Sequence, residues 1–158
     1  MKEINNDITE SYCSFEVSKL LKEKGFDCKC EDCFNSRGML FSNGWCEDVY
    51  DKGVNIPFNN STLKSLFHIS RPTHALAIEW IRVNFNIFIH TTCDVGGEFI
   101  YTFTIYNVNF GEEQCLYSSR LLYESPQIAT DSSLKYVLKE LIWKKLIITF
   151  KNLMYLMK

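Results

Sequence analysis

Between Ser70 and Thr92 the chain reads SRPTHALAIEWIRVNFNIFIHTT, a capped amphipathic helix that runs into an apolar strand with almost no linker. Thr73, after Pro72, is placed to accept one of the amide protons that a first helical turn leaves unpaired. With helical spacing, Leu76, Ala77, Trp80, Ile81 and Val83 share one broad face and Glu79 and Arg82 lie opposite. Asn84 and Asn86 bracket the exit, and Ile87, Phe88, Ile89, Thr91 and Thr92 then read as a strand too apolar to have one face fully wet. A helix and a strand that both need a core, joined end to end, demand a domain in which helices cover a sheet.

The flanking segments supply the other elements. Cys13, Val17, Leu20 and Leu21 repeat at helical spacing, and Gly25 stands where a left-handed cap belongs. After Asp94-Val95-Gly96-Gly97, a turn tolerant of positive φ, Phe99, Tyr101, Phe103 and Ile105 alternate with Ile100, Thr102, Thr104 and Tyr106 in a period of two. Asn107 to Gln114 reads as a further turn and Cys115 to Tyr123 as a third strand. Ser125 and Pro126 open the last helix, whose stripe is Leu134, Val137, Leu138, Leu141 and Ile142. Lys145 falls on the same stripe, which predicts a bend or an end near Trp143.

The expectation is one α+β domain over residues 1–158. Its antiparallel sheet of three or more strands (87–92, 99–106, 116–123) is covered by about three helices (13–24, 73–84, 126–143). Residues 27–69 are the least regular part, with turn formers interleaved among apolar residues, so short strands and a local staple are expected there, and 27–58 within it form an irregular, cysteine-rich loop region. Residues 144–158 form a basic, apolar extension.

A chain of 158 residues is long enough to bury an independent core, and 46% hydrophobic content argues for a folded globule. The net charge of −2 gives no overall drive toward nucleic acid. It is uneven, however: the last 34 residues hold six basic and two acidic side chains. The polar start MKEINNDITESY has no apolar signal core and no run approaches a membrane span, so a cytoplasmic protein with thiol cysteines is expected.

Three segments, CSFEVSKLLKEKGF, SRPTHALAIEWIRVNFNIFI and SPQIATDSSLKYVLKELI, cover about a third of the chain. Together they resemble the recurring blocks of a family of small phage and prophage proteins of Bacteroides-type bacteria. The resemblance implies a mobile-element origin, hence the cytoplasm of an infected or lysogenic host, and no particular mechanism. The cysteine-dense loop and the extension after Ile142 depart from those blocks.

Cys28, Cys30, Cys33 and Cys46 are the sharpest chemical constellation, because four thiolates can close a tetrahedral structural zinc site and Cys30-x2-Cys33 has the spacing of one knuckle. The alternative is a set of free thiols. A redox role is disfavoured by Glu31 and Asp32, which oppose thiolate formation. His74, in a first helical turn, reads as a packing or capping residue. His90 and Cys93 invite a nucleophile reading, yet strand alternation sends them to opposite faces.

No glycine-rich phosphate loop, paired-carboxylate motif or HExxH stands in the sequence. The expected function is therefore non-enzymatic: a phage or prophage accessory protein that inhibits a host defence system, as an anti-CRISPR protein acts on a nuclease or its guide ribonucleoprotein. Trp45 and Tyr50 on the cysteine loop and Lys144, Lys145, Lys151 and Lys158 on the tail are its expected contact residues. The alternatives are a zinc-stabilised module that binds nucleic acid through those lysines, and an enzyme using Cys93 and His90.

Overall fold

The first helix shows how local sequence sets the architecture. α1 (Phe15–Glu23) starts on Ser14, whose hydroxyl accepts the Val17 amide at 3.3 Å, and is closed at Gly25, where φ is +87°. The Gly25 amide donates to the Lys22 carbonyl at 3.0 Å and the Phe26 amide to the Leu21 carbonyl at 2.9 Å, the paired closure that a glycine-ended helix uses. Leu21 and Phe26, drawn together by it, are both buried.

This computed structural model describes residues 10–41, 60, 68–94, 100–109 and 112–142. They form an α+β fold of three helices and two three-stranded antiparallel sheets. Among the described residues no helix is long and apolar enough to cross a membrane.

The smaller sheet lies mostly in the stretch expected to be irregular. Its strands are β1 (Asp32–Asn35), β2 (Leu40–Phe41) and β3 (His68–Arg71), in the order β2-β1-β3. Asn35 shapes the β1–β2 turn: its Oδ1 accepts the Arg37 amide at 2.9 Å and the Met39 amide at 3.0 Å. Gly38, at φ +79°, closes the turn so near the Phe15 ring that a Cβ would stand 3.2 Å from it. Asn60 is the staple: its side chain donates to the Phe26 carbonyl at 2.8 Å and accepts the Ser70 amide and hydroxyl at 3.1 Å each. Across β1 and β3, Arg71 pairs with Asp32 at 3.2 Å and lies over the Tyr12 ring, 4.5 Å from its centre.

α2 (His74–Phe85) and β4 (Ile87–Asp94) come next, with one residue between them. Thr73 caps α2 as its spacing requires, accepting the Leu76 amide at 3.2 Å. Asn86 ends it in the left-handed region at φ 52°, so one residue turns the chain from helix into strand. Ala77 and Ile81 are buried, whereas Val83 is 68% exposed, contrary to its expected place on the apolar face. At helical spacing Val83 stands about 160° around the axis from Ile81 and about 120° from Ala77. The stripe that is buried runs through His74, Ala77 and Ile81 and leaves Val83 in water.

The larger sheet pairs β4, β5 (Ile100–Asn109) and β6 (Glu112–Ser118) in sequence order. The polar segment expected to be a turn is mostly ladder, with Asn107 opposite Gln114 and Asn109 opposite Glu112. Antiparallel strands with one open face need no apolar alternation to keep pairing, so the apolar pattern ends before the strand does. β6 accordingly starts and ends earlier than expected, and Tyr123 returns only as an isolated bridge to Tyr101.

α3 (Pro126–Tyr136), capped by Ser125 as expected, continues into a π-helical segment at Val137–Leu141 and packs across β4 and β5. Thr91 and Thr130 join strand to helix through their hydroxyls at 3.1 Å. Ile81, Ile87, Ile105, Leu134 and Leu138 are buried where the helices meet this sheet. Each contributes about 1.5–3 kcal/mol through the apolar surface it removes from water. The opposite face stays wet: Thr92 and Thr102 pair hydroxyls at 2.9 Å, and Thr104 and Ser118 at 3.4 Å.

Candidate functional site

Three chain segments converge at the start of α2. Cys13 donates its amide to the Pro72 carbonyl at 3.0 Å, and the His74 amide donates to the Ser11 carbonyl at 2.8 Å, which ties the segment before α1 against the α2 N-terminus. Asp131, on the second turn of α3, closes the junction. Its Oδ1 accepts the Ser14 amide at 3.0 Å and lies 3.4 Å from His74 Nε2, while Oδ2 lies 3.6 Å from Lys135 Nζ. Burial opposes the charge on Asp131, but the hydrogen bonds from His74 and Ser14, with Lys135 beside it, outweigh burial and lower its pKa. Glu16 extends the network on the surface, bridging Lys135 at 2.9 Å and Lys139 at 2.6 Å.

Beside this junction is a cavity of about 400 Å³. Its described walls are the segment at Glu10 and Ser11, the first turn and a half of α2, and the first turn of α3. His74 is on the lining, its side chain only 9% exposed. The sequence marks His74 as a helix-start packing residue, and the structure adds that it is a hydrogen-bonded wall of a cavity. Asp131 escaped the sequence reading because its partners are 57 and 117 positions away and no local pattern links them.

A second feature is the connection from β6 to α3. Leu121 and Leu122 are adjacent and each 65% exposed. The loop is nevertheless fixed: the Ser119 amide donates to Phe103 O at 2.9 Å, its hydroxyl accepts the Leu121 amide at 3.0 Å, and Tyr123 and Tyr101 exchange two backbone bonds of 2.9 Å. Exposed Arg120 and Glu124 flank the leucines.

The expected metal ligands are dispersed in their environments. Cys33 is wholly buried on β1, Cys28 is half-buried, and Cys30 lies in the core with its thiol 3.6 Å from the Cys28 carbonyl. Burial, then Cys28 and Asp32, push the Cys30 pKa up to about 12, and burial, then Asp27, raises that of Cys28. Among the described residues no group of three or more histidine, cysteine, aspartate or glutamate side chains is gathered for a metal. Cys46 lies outside the described residues, as do the turn at Val95-Gly96-Gly97, Trp143 and the expected contact residues Trp45, Tyr50, Lys144, Lys145, Lys151 and Lys158.

His90 and Cys93 are both exposed on β4, opposite Thr104 and Tyr101 respectively, three residues apart and hence on opposite faces. Comparison with models of protein families, with curated proteins and with solved structures finds no match to this chain.

Proposed function

We propose that this chain is an accessory protein that acts by binding another protein, and that its target is a host defence nuclease, as for an inhibitor of the anti-CRISPR type. The observation that supports binding is the Ser119–Tyr123 loop. It holds two leucines in water on a backbone tied at both ends to β5, a rigid apolar knuckle of the kind that anchors protein interfaces. The choice of target rests on the resemblance of three segments to phage and prophage proteins.

Capture from host lysate on the tagged chain, with and without nuclease treatment, tests this reading. Recovery of one defence nuclease under both conditions is the expected result. The Leu121→Asp, Leu122→Asp double variant should lower that affinity by about tenfold or more with unchanged melting. Full recovery by the double variant would remove the loop from the interface. Substituting Trp45 and Tyr50, and ending the chain after Ile142, would then test the other two surfaces. Recovery lost on nuclease treatment would instead favour contact through nucleic acid.

A further inference from the structure

Two apolar surfaces lie at the start of α3. One projects: the Ser119–Tyr123 loop, which ends just before Ser125 and Pro126, holds Leu121 and Leu122 in water. The other recedes: the cavity of about 400 Å³ has Ala75 and Ile78 of α2 and Pro126 and Thr130 of α3 in its walls. Ile128, exposed in the first turn of α3, adds apolar surface at the same helix start.

Within one chain the two surfaces do not meet. Backbone bonds to Phe103 and Tyr101 fix the loop, and neither leucine lines the cavity. A second copy joins them twice. Where a projecting and a receding surface share one end of a molecule, a twofold axis places each copy's loop on the other's cavity, and the contact closes on itself.

The charges agree with this pairing. Arg120, directly before the leucines, is exposed and makes no ion pair among the described residues. Glu10, exposed on the cavity wall, has among them only the 3.4 Å hydrogen bond from the Tyr12 hydroxyl. With the loop of one copy on the cavity of the other, Arg120 stands at the rim where the second copy presents Glu10, and the axis repeats the pair.

We infer that this chain self-associates as a twofold dimer in which Leu121 and Leu122 of each copy lie in the cavity between the first turns of α2 and α3 of the other, with Arg120 against Glu10. The inference rests on the reading of the Ser119–Tyr123 loop as a contact surface and names its occupant in the free protein, so a target competes with the second copy.

Analytical ultracentrifugation of the purified full chain tests it. From about 1 μM to about 500 μM the mass should rise from 18.5 kDa toward twice that value. Leu121→Asp on the loop, and Ala75→Gln, which puts a longer polar side chain at an exposed position on the cavity wall, should each raise the dimer Kd by about tenfold or more with unchanged Tm. Mixed, the two variants regain one intact contact, the loop of the Ala75→Gln copy on the cavity of the Leu121→Asp copy, so the mixture should associate more tightly than either variant alone. A chain that stays monomeric throughout, a dimer that neither variant weakens, or a mixture no tighter than its components would overturn the inference. No host protein is present in this measurement, so a failed nuclease capture leaves the dimer standing and a monomeric chain leaves the capture result standing.

Discussion

The two sheets match in strand number and pairing, three antiparallel strands each, yet different forces hold them. The β4-β5-β6 sheet is packed by area: Ile87, Phe103 and Ile105 lie under α2 and α3, with Tyr117 stacked on Tyr136 at 4.0 Å. The β2-β1-β3 sheet buries fewer apolar side chains, Cys33, Phe34 and Ile69, and adds point contacts: Asn35 in its turn, Asn60 between Phe26 and Ser70, and Arg71 on Asp32. Area contacts are redundant and degrade gradually, whereas a point contact fails when one side chain is removed.

The largest effect should come from the area-packed half. Ile105→Ala should cost about 2–5 kcal/mol in denaturant unfolding, by lost burial plus a cavity. It should also speed amide exchange in α1, whose Val17 and Leu21 belong to the same core as Ile105. Exchange changes confined to β4-β5-β6 would show that the halves unfold separately.

Asn60→Ala should rank next, at about 1–3 kcal/mol, since it removes the side-chain hydrogen bonds to the Phe26 carbonyl and to the Ser70 amide and hydroxyl. Its signature is local: the Ser70 amide should exchange faster while those of β5 do not. Equal acceleration in both sheets would sink the distinction between area and point.

Asp131 links the start of α1 to α2 and α3. Its folded pKa is depressed, so the stability it contributes is fully present above an unfolded value of about 3.9 and is lost as pH falls through the folded value. Asp131→Asn should flatten the acid limb of a Tm–pH curve, and an unchanged acid limb would remove this role. The smallest effect is expected for Val83→Lys, within about 0.5 kcal/mol, because the side chain is already in water.

The same contrast explains how much was legible in the sequence. The Thr73 and Ser125 caps, the Gly25 closure and the helix–strand junction at Asn86 are local, and each stands where its spacing placed it. The α+β class came from those periods. Val83 was misplaced because the buried stripe of α2 is narrower than its run of apolar residues. The point contacts left no trace: Asn60 looks like any loop asparagine, and Asp131 like a solvated residue on a helix. The ladder from Asn107 to Gln114 reads as turn because its residues are mostly polar and carry no alternation that a core would impose.

The π-helical segment at Val137–Leu141 bears on how the chain could change length. The Ile142 amide reaches back to the Val137 carbonyl, so this turn holds one residue more than an α-helical turn would. Val137, Leu138 and Ile142 are buried, and the surplus bulges through the exposed pair Lys139 and Glu140. Losing one residue there would restore a regular α-helical turn between Val137 and Ile142 and leave both buried side chains where they are, because the residue removed is the surplus one. Lys139–Glu140 is thus a slot for single-residue insertion or deletion, at which a lineage could change the length of this segment while keeping Val137 and Ile142 in the core.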